Sequence, residues 1–342
     1  MLRHGTTTRR KSRRGRLAAA VATVGLLASV SGCGLLSGED DSPESQGGGD
    51  GSLEKSTITV AHLPSIDVAP LYHAKEAGYF AEEGLDVKIE VAASGQATIQ
   101  KMIGGDADIV QSSYVPFTVA QASGTADIKI VADAVSAAPD TFVLVAKEGG
   151  PVKDVEDLEG KKIAVSALKT ISDTIVKSFM ASKGLDHKTV DWVPMSFPDI
   201  ASAVAKGHVD AGLLIEPFLT IGAKEHGVTP IADVATGPAK DMPLAGYGAL
   251  AEFVEKHPKT IAAFQRAMER ATEDAQDREV IEPIIQETAS IDAATASLVS
   301  LPNFHSTLDA SRIQRVPDMM LEFDVIKKKI DVASMIVSPD TD

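Results

Sequence analysis

The residues best placed for chemistry follow short apolar strands and precede helical stretches. They are Pro64 and Ser65 in LPSI, Ser94 and Gly95 in SGQ, Ser113 and Tyr114 in SSY, Thr170 and Ser172 in the stretch 167–172, and Glu216 before Pro217. At the carboxyl ends of parallel strands such turns face a common crevice. Helix N-termini there offer unpaired N–H groups and a partial positive charge. Hydroxyls in that setting can hold a small polar solute. Glu216 adds a carboxylate suited to a cationic or N–H-rich partner, and Tyr114 a ring face and hydroxyl suited to a heterocycle or amine. Tyr247 lies near a Gly/Pro-rich connection from which it could reach the same crevice.

Structural roles compete for several of these positions. Asp67 reads as a cap for the helix that follows it. Thr170 and Asp173 fit a capping box, and Glu216 followed by Pro217 fits an N-cap with proline at the first helical position. No arginine occurs between Arg16 and Arg266, so no guanidinium clamp for a sulfonate or carboxylate is available at these turns. Lys169 or backbone N–H groups would have to serve. His62 and His73 are too isolated to suggest a metal site, and no P-loop or Ser-His-Asp pattern stands in its required context. No cofactor and no metal are expected.

The elements that must position these residues alternate. STITVAH, LDVKIEV, ADIVQ, IKIVADAV and TFVLVAK read as strands between helical stretches, the first of them a helix over 68–80. The pattern restarts after Gly149-Gly150-Pro151 with KKIAVS, TVDWVP, VDAGLLI and VTPIADV. From Tyr247 onward the chain is mostly helical, including a helix over 293–301. The segments GGDADIV and KGHVDAGLL have the same order of parts, which predicts two similar α/β lobes. The expected division is 57–147 plus 245–342 for the first lobe and 148–244 for the second, with hinges near 146–151 and 237–246.

The chain opens differently. Residues 1–32 carry seven Lys/Arg and no Asp/Glu, and an apolar run from Leu17 to Val30 follows the basic block. That is the plan of a signal peptide, and the run is shorter than the roughly 18–20 residues that span a bilayer. Val30-Ser31-Gly32-Cys33 resembles a bacterial lipobox, and Cys33 is the chain's one cysteine. The resemblance implies cleavage before Cys33, lipidation of its thiol and attachment to the extracytoplasmic face of the cell membrane. Paired arginines at 9–10 and 13–14 leave both the general and the twin-arginine export routes open. Residues 33–56, rich in Gly, Ser, Asp and Glu, read as a flexible tether. Beyond residue 32 the chain holds 26 basic and 48 acidic residues, a balance that argues against nucleic acid.

APLYHAKEAGYFAEEGLDVKIE, GQATIQKMIGGDADIV, PVKDVEDLEGKKIAV, AVAKGHVDAGLLIEPF and FVEKHPKTIAAFQRA, in that order, resemble the type II periplasmic binding proteins of ABC importers. The branch is that of the nitrate, sulfonate and taurine binders and the thiamine-precursor binders. The resemblance implies two α/β lobes joined by two crossovers, a ligand cleft between them, and a helical C-terminal part. It also implies a monomer that captures a small solute and hands it to an ABC permease and its ATPase. Three other functions compete: a sensory lipoprotein that docks on a receptor, an interaction lipoprotein with no small ligand and a closed or filled cleft, and an enzyme like the thiamine-pyrimidine synthase, which shares this fold but uses a cysteine-rich motif.

Overall fold

The computed structural model describes residues 52–338, so Cys33 and the segment read as a signal lie outside the described residues. The strands are β1 (Thr57–His62), β2 (Asp86–Val91), β3 (Ile109–Ser113), β4 (Ile128–Ser136), β5 (Phe142–Lys147), β6 (Lys162–Val165), β7 (Asp191–Pro194), β8 (Ala211–Ile215), β9 (Val228–Asp233), β10 (Pro243–Leu250) and β11 (Asn303–Phe304). They form two sheets, β11-β4-β10-β3-β1-β2 and β7-β6-β8-β5-β9. Each has a parallel trio, β2-β1-β3 or β7-β6-β8, followed by an antiparallel pair. In each, the strand beside the trio is the one that the chain contributes after crossing from the other sheet: β10 in the first, β5 in the second.

The repeated sequence segments have a shared physical role. The Asp108 backbone N–H donates to the Thr59 carbonyl at 2.9 Å, and the Thr59 N–H returns a bond to the Asp108 carboxylate at 2.9 Å. Asp210 makes the same pair with Lys162, at 2.9 Å in both directions. In each sheet this aspartate stands just before the third strand and ties it to the first, satisfying an N–H that the ladder leaves open.

The second sheet buries both faces by strict alternation. Leu144, Ala146, Ile163 and Val165 join the main core, while Val143, Val145 and Ala164 pack under helices Phe197–Lys206 and Phe218–His226. Helices of the C-terminal part cover the first sheet, with Phe264 stacked on Phe80 at 5.6 Å between ring centroids.

Four expectations are corrected. The chain first passes between sheets at 137–141, not at 146–151, because β5 already pairs with β8 and β9. The segment 146–151 is a turn beyond β5, where Gly150 N–H donates to Lys147 at 2.9 Å. The helix read over 68–80 is two, Ala69–Glu76 and Tyr79–Glu82, because Gly78 adopts a left-handed φ of 82° between them. The helix read over 293–301 stops at Ala296, and the chain goes on to β11. The segment read as a tether to residue 56 ends sooner: Glu54 accepts from Lys259 and Thr260 N–H groups at the start of helix Pro258–Asp274, and Lys55 Nζ bonds Asp108 at 2.7 Å.

Candidate functional site

The carboxyl ends of β1, β3 and β8 converge with the starts of β5 and β10 around a cavity of about 110 Å³. Leu63, Ser65, Ile66 and Asp67 enter from the β1 turn, Gln111 and Ser113 from β3, and Ile215 and Glu216 from β8. Thr141 and Phe142 come from one crossing, Leu244 and Ala245 from β10. Ile171, Ser300 and Pro302 complete the wall. Among the described residues, no lysine, arginine or histidine lines it.

Of the residues singled out in the sequence, Ser65, Ser113 and Glu216 reach this cavity. Asp67, read as a helix cap, lines it too, while the remaining candidates do not, and their surroundings say why. Pro64 is exposed beside Ser65. Ser94 caps helix Gly95–Gly104 by accepting from the Ala97 N–H at 3.1 Å. Gly95 lets that helix approach β3, since a Cβ there would stand 2.8 Å from the Ser112 hydroxyl oxygen. Thr170 forms the capping box with Asp173, whose carboxylate accepts the Thr170 N–H at 2.8 Å. The Ser172 hydroxyl accepts from the Ser166 N–H at 3.0 Å.

Both tyrosines turn into the core. Tyr114 is buried and donates its hydroxyl to Asp133 at 2.7 Å, and Asp133 in turn pairs with Arg312. Burial pushes the Asp133 carboxyl up to about 6, against the pull of Arg312 and Tyr114. Tyr247 packs edge-on to Phe264 at 5.6 Å, and its buried hydroxyl has no hydrogen-bond partner. Burial, and after it the charge of Asp67, pushes the Tyr247 hydroxyl above its ordinary range.

Two carboxylates face the cavity under different conditions. Glu216 is nearly saturated. Its Oε1 accepts from the Thr220 hydroxyl at 2.8 Å and the Ser300 N–H at 3.3 Å, and its Oε2 from the Thr220 N–H at 3.1 Å. Thr220 is in the first turn of helix Phe218–His226, so the side chain does cap that helix, but from one residue before the Pro217 N-cap. Burial still raises its pKa above the ordinary value, with those bonds opposing.

Asp67 is not the cap its position suggested. It stands inside the short helix Ile66–Val68, and neither that helix nor Ala69–Glu76 takes a side-chain cap. Half-buried and lining the cavity, its carboxyl is pushed up to about 6 by desolvation, opposed by the Ser65 hydroxyl and its own backbone N–H. The Ser65 contact falls short of a full hydrogen bond, and that oxygen is otherwise unpartnered.

Gln111 was missed in the sequence. Its Oε1 accepts from the Leu63 N–H at 3.4 Å, which orients the amide and leaves Nε2 buried without a partner. The available signal was the polar run Gln111-Ser112-Ser113 closing an otherwise apolar strand. The turns after β3 and β6 also line a second, open groove of about 400 Å³, with Ile99, Ile103, Val119 and Leu168 on its walls.

The comparisons with known proteins converge on this two-sheet scaffold. The family model described as NMT1/THI5 like matches residues 65–279, well over half of the chain. The chain belongs to the NMT1/THI5-like family. It is 25% identical over 290 residues to a putative aliphatic sulfonates-binding protein of Bacillus subtilis, covering 79% of this chain and 82% of that one. It is 26% identical over 240 residues to the 4-amino-5-hydroxymethyl-2-methylpyrimidine phosphate synthase THI13 of Saccharomyces cerevisiae, covering 65% and 67%. The matched stretches span from 64% to 82% of the lengths of the first such relatives. The crystal structure of the periplasmic aliphatic sulphonate binding protein SsuA from Escherichia coli superposes with a TM-score of 0.69 at 19% identity, over 82% of this chain and 97% of that one. This NMT1/THI5-like chain therefore has the periplasmic-binding-protein fold.

Proposed function

We propose that this chain is the solute-binding component of an ABC importer, held at the extracytoplasmic face of the membrane through a lipid on Cys33. It captures a small organic solute in the 110 Å³ cavity and delivers it to a permease driven by its ATPase. The observation that carries this is the cavity itself, walled by the strand ends of both sheets and lined by unpaired polar atoms of Ser65 and Gln111. A relative named for aliphatic sulfonate binding and a family match over most of the folded region support it. The anchor rests on the order of basic block, apolar run and single cysteine in residues 1–33.

Capture works by closure. The Glu216–Ser300 bond joins the β8 turn to the segment leading into β11 of the other sheet, and both residues line the cavity. Among the described residues, the crossings at 137–141 and 234–242 link the two sheets, and they absorb the rotation. Small-angle scattering with and without saturating solute tests this, because identical dimensions in both states would end the closure mechanism.

The yeast synthase relative favours a second reading, an enzyme on the same fold. The synthase type that the sequence resembles uses a cysteine-rich motif, whereas the single cysteine here is Cys33. Mass spectrometry of the solute released from denatured protein separates the two. An importer's binding protein releases its solute chemically unchanged after prolonged incubation, and a synthase does not.

A further inference from the structure

We infer that the cavity takes a solute bearing a protonated nitrogen, an ammonium or amidinium group, paired with Asp67, together with an acceptor atom that receives a hydrogen bond from Gln111 Nε2. This rests on the solute-binding reading above and names the chemistry of its solute.

The charge of the wall decides the sign. Asp67 and Glu216 line the cavity, with no cationic side chain to balance them. An anion entering would meet two carboxylates in a poorly solvated space, where repulsion is weakly screened. Two of the four nearby helix N-termini are already occupied. The capping box of Thr170 and Asp173 closes helix Ile171–Ser182, and Glu216 takes the first turn of Phe218–His226. Tyr114–Ser123 starts without a side-chain cap, and so does the Ile66–Val68 turn that leads into Ala69–Glu76, where the Asp67 carboxylate itself stands.

The two carboxylates differ in what they still need. Glu216 has three protein donors, while Asp67 has no completed side-chain bond. Asp67 is half-buried on the cavity wall with no counter-charge, and partial desolvation of its carboxylate is costly, which raises its pKa to about 6. A nitrogen cation supplies the missing partner. Gln111 Nε2 is the second, independent demand: Gln111 is 1% exposed, lines the cavity, and leaves this donor unpaired. The solute that satisfies both carries a donor cation and an acceptor a few bonds apart.

The test uses the full-length chain in detergent and ligand-observed NMR at millimolar probe. Ethanolamine, with a cation and an acceptor, and acetamidine, with a cation alone, stand against ethanesulfonate and nitrate. Both nitrogen probes are expected to bind saturably and the anions not. Asp67→Asn is expected to weaken both nitrogen probes by about tenfold or more, as loss of a charged hydrogen bond requires. Gln111→Met is expected to weaken ethanolamine and leave acetamidine unchanged. A thermal melt checks that the Asn variant folds.

Saturable binding of ethanesulfonate or nitrate to the wild type overturns the inference and leaves the importer reading standing. Nitrogen-probe binding that survives Asp67→Asn overturns it too. If no probe of either charge binds, the inference falls. Mass spectrometry of the co-purified solute then decides the importer reading independently.

Discussion

The two sheets are built alike and finish differently. β1, β2, β3, β10 and β4 have the same neighbours and directions as β6, β7, β8, β5 and β9, and Asp108 and Asp210 tie corresponding strands with bonds of the same length. The first sheet adds β11, and within the shared strands and their turns the likeness also fails in two places. Register places Gly212 where the first sheet has Val110, each opposite an alanine, Ala164 or Ala61. At the cavity, the second sheet's carboxylate is saturated and the first sheet's is not. The repeated parts hold the scaffold together, and the site lies in the residues that do not repeat.

Making the second sheet resemble the first at Gly212 is the harshest way to break the comparison. A Cβ at Gly212 would stand 2.3 Å from Ile200 Cγ2, so helix Phe197–Lys206 sits closer to its sheet than a side chain allows. Gly212→Val is expected to cost about 3 kcal/mol, the upper range of overpacking. Urea unfolding followed by circular dichroism measures it, and a cost below about 1 kcal/mol would mean that the helix shifts freely.

The strand-tying aspartates sharpen the likeness instead. Asp108 accepts from Thr59 N–H and also from Lys55 Nζ, while Asp210 has only the Lys162 N–H. Asp108→Ala is expected to cost about 2 kcal/mol and Asp210→Ala about 1 kcal/mol. Equal losses in the same unfolding experiment would show that the Lys55 pair, which is partly solvated, adds nothing.

The likeness of the halves was legible because strands and their preceding aspartates are local patterns. What failed was long-range. TFVLVAK reads as a strand, but its own residues do not say which sheet it joins, so the first crossing was placed too late. Tyr114 follows a strand, where its ring could turn either way. It turns inward because Gly246 leaves room there: a Cβ at 246 would stand 2.5 Å from the Tyr114 hydroxyl oxygen. Those residues are 132 positions apart in the chain. Glu216 was placed at the cavity, but whether its oxygens were free depended on Ser300, in a segment read as helix. Asp67 had a familiar local role available and does not perform it.

Asp67 and Glu216 also differ in what proton uptake should do to binding. Acetamidine keeps its charge across the range, so only protein groups titrate. As pH falls through about 6, Asp67 takes up a proton and loses its attraction for the cation. Affinity is expected to fall about tenfold between pH 7 and pH 5. The groups facing Asp67 are Ser65 and Tyr247, with Glu216 also on the cavity wall. Tyr247 stays neutral throughout and Ser65 does not titrate, while Glu216, its oxygens engaged by three protein donors, does not pair with the cation even where it takes up a proton. Asp67→Asn should therefore flatten the profile and Glu216→Gln preserve it. The opposite result would make Glu216 the binding carboxylate.

The smallest expected effect lies with Glu216 and stability. Its folded pKa is raised above the unfolded value near 4.5, so the folded state holds the proton more tightly in that window. Stability from this group is highest below the unfolded value and declines as pH rises through the window to the raised folded value. At neutral pH the buried charge is a net cost despite its three bonds. Glu216→Gln keeps an acceptor for the Thr220 hydroxyl and removes that charge, so it is expected to change stability at pH 7.5 by only about 0.5 kcal/mol. It should also remove this group's share of the decline between pH 5 and pH 7.5, seen in urea midpoints of variant and wild type at both values. A large loss at neutral pH, about 3 kcal/mol or more, would show the carboxylate to be a strong ionic tie between the β8 turn and Ser300. The contrast with Asp67 would then be one of strength as well as of saturation.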